Sequence, residues 1–136
     1  MKQGLDKMED AAAIRTEVFV EEQGFQNEFD ETDRTAYHIV LYEGTQAVAT
    51  GRLYPAEGEG YAIGRVAVRK ICRGKHAGKA VVEKLEILAR TLGAKELSLD
   101  AQVRAMGFYE TLGYEPFGKE HLDEFCPHRT MKKRLL

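Results

Sequence analysis

Residues 61–92 switch from strand to helix, and this constrains the fold more than any other feature of the chain. An apolar stretch from Tyr61 to Val68 runs through Arg73-Gly-Lys-His-Ala-Gly-Lys79 straight into a helical pattern. Over residues 77–92, Val81, Leu85, Leu88 and Leu92 share one face, and Gly93 stops the helix. A strand followed at once by an amphipathic helix has two apolar surfaces to bury, which is solved by laying the helix on a sheet. Neighbouring segments supply that sheet. Residues 36–42 and 46–54 read as two strands joined at Glu43-Gly44-Thr45, and residues 61–68 form the third long strand. Residues 97–101 read as a buried strand, 105–112 as a short helix stopped by Gly113, and 115–118 as the start of a strand. Residues 120–125 read as a loop or turn and 128–135 as the last strand. Ahead of the hairpin, Met8, Ala11, Ala12, Arg15, Val18 and Phe19 recur at helical spacing, with Asp6 as N-cap and residues 1–4 as an edge strand. The sequence predicts an α/β fold with a mixed sheet and helices on its faces.

The loop before the long helix has the chemistry of an anion site. N–H groups of a first helical turn have no partner inside the helix, and the helix dipole adds partial positive charge there. Gly74 and Gly78 let the backbone approach closely, while Arg73, Lys75 and Lys79 add full charges. A solvated surface turn is the plainer alternative, and the position between strand and helix favours the anion site. Neither common nucleotide motif is present. Gly74 and Gly78 are separated by three residues and Lys79 precedes Ala80, so the spacing and the hydroxyl of a P-loop are both missing. No Gly-x-Gly-x-x-Gly follows a strand.

Arg73-Gly-Lys-His-Ala-Gly78 is instead similar to the pyrophosphate loop of the GNAT superfamily of N-acetyltransferases, Arg/Gln-x-x-Gly-x-Gly/Ala, with His76 where that family usually has its first glycine. Downstream, Leu97-Ser-Leu-Asp-Ala101, then Gln102, Ala105 and Phe108-Tyr-Glu-Thr-Leu-Gly-Tyr114, resemble the second GNAT motif. Val18-Phe-Val-Glu-Glu-Gln-Gly24 and Cys126-Pro-His128 resemble a bacterial subgroup of small GNAT proteins. The resemblance implies a mostly antiparallel sheet whose strands at 61–68 and 97–101 splay apart around acetyl-CoA. It implies backbone groups of Val66, Ala67 and Val68 along the pantetheine arm, and Arg73, Gly74, Lys75, His76, Ala77, Gly78 and Lys79 around the pyrophosphate. It gives Tyr109 the place of the general acid that protonates the departing thiolate, while Gln102 stands where Asn is more frequent and orients the cofactor or makes a structural hydrogen bond.

Acetyl transfer also needs a neutral amine, so some group must take its proton. Glu21 and Glu22 follow the first helix, where GNAT proteins commonly build the acceptor pocket, and His128 opens the last strand. The three stay open as candidate bases, each with the alternative of a surface or satisfied group. His38 and His121 carry less weight. Neither cysteine stands at a position the motifs mark as nucleophilic, which favours direct attack on the thioester without a covalent enzyme intermediate. The expected activity is acetyl transfer from acetyl-CoA to a primary amine. A non-catalytic acyl-CoA-binding sensor of the same fold is the alternative, and a phosphate-binding module unrelated to CoA leaves the second motif unexplained.

Composition narrows the partners. With 136 residues and 43% hydrophobic content the chain suits one domain with one core. A net charge of −2 with no basic stripe argues against nucleic acid. No apolar span of membrane length or signal peptide appears, and Cys72 and Cys126 have no partner motif, so a cytoplasmic protein with reduced thiols is expected. No spacing of His, Cys, Asp and Glu suggests a metal site. Homodimers are frequent in the family the chain resembles. Glu17, Glu21, Glu22, Glu28, Asp30, Glu31 and Asp33 make residues 17–33 acidic with no Lys or Arg among them. That stretch reads either as attraction for a cationic amine or as solubilising charge.

Overall fold

The computed structural model describes residues 2–4, 8–56, 58, 60–74 and 76–135. The expected cap Asp6, residue 1 of the edge strand and the loop cation Lys75 lie outside the described residues. The elements are β1 (Lys2–Gln3), α1 (Glu9–Arg15), β2 (Tyr37–Glu43), β3 (Gln46–Pro55), β4 (Tyr61–Val68), α2 (Ala77–Thr91), β5 (Glu96–Gln102), α3 (Met106–Thr111), β6 (Glu115–Pro116), β7 (His121–Asp123) and β8 (Cys126–Arg134). They form one sheet in the order β1-β2-β3-β4-β5-β8-β6, with β7 also on β8. The β4–β5 pair is parallel and the other pairs are antiparallel.

Two cores sandwich this sheet. Val81, Val82, Leu85 and Ala89 of α2 pack on Leu53, Ile63, Leu97, Leu99 and Met131. Ile14, Val18, Phe19 and Phe25 pack with Ala67 and Cys126 on the other face. Helix α2 lies so close to β3 that a Cβ on Gly51 would meet Val81 Cγ1 at 2.7 Å and Leu85 Cδ1 at 2.9 Å. Only glycine permits that approach, which fixes the height of the helix above the strands.

The β4–β5 ladder makes the cleft. It pairs Tyr61 with Leu97, Ala62 with Ser98 and Ile63 with Leu99, and then ends. Beyond that point β4 stays on β3, and β5 continues on β8 to Gln102. A bulge marks the departure. Between the pairs Thr50–Ala67 and Arg52–Gly64, the single residue Gly51 opposes Arg65 and Val66, and Arg65 takes φ 51°. An extra residue on one strand bends it and raises its twist, turning β4 away from β5.

Two expectations are corrected. The first helix is α-helical only to Arg15, and residues Thr16–Glu22 wind as a π-helix, with Gln23 N–H donating to Val18 O at 3.1 Å. Val18 and Phe19 are both buried, as the spacing expected, but on a π-helical turn instead of an α-helical one. Residues 120–125 are more than a loop or turn: the turn falls at Glu124, whose φ is 56°, and His121–Asp123 ahead of it pair with β8 as β7. That segment has no apolar alternation, and its strand character comes from the long edge of β8.

Candidate active site

Where β4 and β5 part, a cleft of about 1070 Å³ runs from the N-terminus of α2 to the start of β8. Val66, Ala67 and Val68 line its β4 wall, and Arg73, Gly74, His76, Ala77, Gly78 and Lys79 line its α2 end. Gln102, Phe108 and Tyr109 border its middle, and Glu22, Phe25 and His128 its far side. The cleft thus gathers most of the residues singled out from sequence. Glu21 is exposed and outside the lining.

At the α2 end, backbone conformation explains the loop. Gly74 has φ 85° and His76 has φ 62°, ψ 20°, so the chain makes two left-handed turns before the helix starts. A β-carbon in that region costs roughly 1–2 kcal/mol, which His76 bears as N-cap and glycine would not. No acidic residue occupies the first turn of α2. Gly78 is close-packed, since a Cβ there would lie 3.3 Å from Phe108 Cζ and 3.6 Å from Val68 Cγ2. The two motif regions therefore touch at Gly78 and Phe108.

Arg73 does not stand free. Its Nη1 and Nη2 donate to the two oxygens of Glu22 at 2.7 and 2.8 Å, and its Nε donates to Val68 O at 3.1 Å. The guanidinium beside it holds the Glu22 carboxyl below the usual carboxylate range. Glu22 is ionised and occupied, and its lowered basicity is the wrong direction for a proton acceptor. Gln102 donates to Gln23 Oε1 and accepts from Arg104 Nε, each at 2.8 Å, which bridges the loop after the π-helix to β5.

Tyr109 is half-buried, stacked edge-on with Phe108 at 4.9 Å and with Tyr114 at 6.0 Å between ring centroids. Burial pushes its hydroxyl up to about 12, so the phenol keeps its proton at neutral pH.

His128 is buried on the opposite side. Its Nδ1 lies 2.9 Å from Cys126 O, and a carbonyl only accepts, so Nδ1 carries the proton and Nε2 presents a lone pair. Nε2 has no protein partner among the described residues. Phe25 packs edge-on against the ring at 6.4 Å, and His121, directly across on β7, stacks on it at 6.2 Å.

Most acids of the stretch 17–33 are taken up in ion pairs with arginines, and Glu28 and Asp33 are buried, which neither sequence alternative anticipated. Arg15, 1% exposed, binds Glu28 at 2.8 Å and Asp33 at 2.7 Å. Arg52 binds Asp30 at 2.7 Å and Asp33 at 2.8 Å, and Arg65 reaches Glu28 at 3.1 Å and Asp30 at 3.3 Å. Burial pushes the Asp33 carboxyl up, but Arg15, the Asp30 amide and Arg52 outweigh it and hold it at about 2. Burial alone accounts for the opposite shift of Glu28, whose carboxyl lies above its usual range despite three arginines. Sequence reasoning missed Asp100 and Asp123, which also line the cleft. The alternation Ser98, Asp100, Gln102 in β5 was the available signal for the first of them.

Comparison with known proteins agrees with this geometry. The acetyltransferase (GNAT) domain family matches residues 5–135. YjcF of Bacillus subtilis, described as an uncharacterized N-acetyltransferase, is 37% identical over 131 residues, covering 94% of this chain and 93% of that protein. An acyl-CoA N-acyltransferase from Pseudomonas aeruginosa superimposes with a TM-score of 0.84 at 26% identity, over 95% of this chain and 91% of that one. Rv2747 of Mycobacterium tuberculosis, solved in complex with CoA, shares the fold with a TM-score of 0.74 at 18% identity, over 99% and 98% of the two chains. The parted strands, the anion loop on α2 and these relatives lead to one conclusion: the chain belongs to the GNAT superfamily and is an acetyltransferase.

Proposed function

We propose that the protein transfers the acetyl group of acetyl-CoA to a primary amine in one direct step, as a cytoplasmic enzyme. The observation that carries this is the continuity of one cleft, from the open N–H groups of α2 past a protonated tyrosine to a histidine with a free lone pair. The α2 N-terminus, with Arg73 and Lys79, holds the pyrophosphate, and the edge of β4 released from β5 at Val66, Ala67 and Val68 pairs with the pantetheine amides. Rv2747, of the same fold, binds CoA, which supports that assignment.

His128 takes the amine proton at Nε2, as its tautomer allows. The amine nitrogen bonds to the thioester carbon, and the carbon–sulfur bond breaks. Tyr109 then donates its proton to the departing sulfur and is restored from solvent. Neither glutamate has a part in deprotonation, since Glu22 is tied to Arg73 and Glu21 stands outside the cleft lining.

The test is CoA release from acetyl-CoA over a panel of primary amines, comparing the wild type with His128→Gln. Loss of one acid–base group costs about 10²–10⁴-fold in rate. A loss in that range with acetyl-CoA affinity kept supports His128 as the base, and turnover equal to wild type rules it out.

A further inference from the structure

The face of the sheet under α1 is covered over β2, β3 and β4, the strands that helix packs against. On the same face, β5, β8 and β7 carry a polar row. Gln102 and His121 stand directly opposite His128 on its two sides, Asp100 opposite Thr130, and Asp123 opposite Cys126. Directly opposed residues and residues two apart share a face, so both aspartates lie on the His128 face. Each is one pleat step from the His128 row, in opposite directions, at about 6.6 Å along the strand. Both line the main cleft and also a second cavity of about 310 Å³ that shares His128 with it.

The charge around that second cavity is lopsided. Its arginines, Arg52 and Arg65, are compensated, because with Arg15 they face Glu28, Asp30 and Asp33. The Arg52 Nε, which has no acceptor, is buried 3.3 Å from where a Gly64 side chain would begin and is closed to a ligand. Asp100 accepts from Thr130 Oγ1 at 2.6 Å and lies 3.9 Å from His121 Nε2. Among the described residues Asp123 has no ion pair, and Asp100 has none with a lysine or arginine.

We propose that the acceptor is a diamine. One nitrogen meets His128 Nε2, and the second, as an ammonium, is held by Asp100 or Asp123. The diagonal from His128 to either aspartate, about 7–8 Å, is of the order of the length of an extended four-carbon diamine. This assignment rests on the transferase reading and on His128 as the base.

The experiment compares CoA release from acetyl-CoA with 1,4-diaminobutane, 1-aminobutane and 4-aminobutanoate, which share a chain length and differ in the far group. With two partly exposed carboxylates available, kcat/KM for the diamine is expected to exceed that of either comparator by about tenfold. In Asp100→Asn/Asp123→Asn that preference collapses, while Asp123→Glu, which keeps the charge, retains it. The single variants identify which carboxylate holds the ammonium. Equal rates for the three amines, preference for 4-aminobutanoate, or a preference that survives the double substitution overturns the proposal. So does acetyl-CoA binding without diamine turnover. Failure to bind acetyl-CoA removes the underlying transferase reading instead.

Discussion

Replacing Glu22 by glutamine is expected to tighten acetyl-CoA binding, although Glu22 sits beside the proposed cofactor site. Arg73 cannot hold a pyrophosphate and the Glu22 carboxylate with the same two nitrogens, and both Nη atoms are engaged by Glu22 at 2.7 and 2.8 Å. Binding therefore exchanges one anion for another, and the pair must open first. Its strength follows from its exposure. The side chains of Arg73 and Glu22 are 39% and 32% exposed, so solvent screens the pair heavily. Pairs of that kind are worth roughly 0.2–1 kcal/mol, and the two-point geometry points to the upper half, about 0.5–1 kcal/mol. Removing the charge thus releases roughly two- to fivefold in affinity. Calorimetric titration of wild type and Glu22→Gln with acetyl-CoA measures it directly. Repeating it at high ionic strength should shrink the difference, because salt weakens the pair in the free protein. Affinity that is unchanged or weakened in the variant would refute the exchange and move the pyrophosphate away from Arg73.

Tyr109→Phe should lower turnover by about 10²–10⁴-fold with acetyl-CoA affinity kept. Because burial holds the Tyr109 hydroxyl at about 12, its proton is retained throughout the assay range, and wild-type kcat should show no falling limb between about pH 7 and 10. A fall set by deprotonation inside that range would take Tyr109 out of the acid role. His76→Gly, which relieves the left-handed N-cap, should leave acetyl-CoA affinity equal or improved, and a large loss in titration would show the imidazole to be a ligand. Asp33, held at about 2, contributes stability that is complete above about pH 4 and lost as pH falls toward 2. In Asp33→Asn the difference in urea-unfolding free energy between neutral and acid pH should shrink by about 2 kcal/mol, and an undiminished difference would assign the acid sensitivity elsewhere.

Much of the fold was legible because the sheet and α2 follow simple periods. The apolar row Val81, Leu85, Leu88 and Leu92 and the stop at Gly93 located α2 to within a residue, and β4 matched its expected bounds. What escaped depends on contacts between segments distant in sequence. No local pattern announces that Glu28, Asp30 and Asp33 meet Arg15, Arg52 and Arg65, and a charge count alone makes the same residues look solvated. The π-helix is invisible for a related reason: its register is set by where Val18, Phe19 and Phe25 find space against Ala67 and Cys126. At the site, the motifs placed Tyr109 and the α2 loop on the cleft but left three candidates for the base. The proposal of His128 rests on its hydrogen bond from Nδ1 to Cys126 O and on the Glu22–Arg73 pair, and both exist only in the folded chain.

The most direct test of acetyl transfer through this cleft is calorimetric titration of the purified protein with acetyl-CoA while ATP competes for phosphate contacts. Saturable binding of acetyl-CoA that ATP does not displace is the predicted result, because the pantetheine arm along β4 contributes what a nucleotide alone lacks. Absence of saturable binding, or displacement by ATP at comparable concentration, would contradict the account.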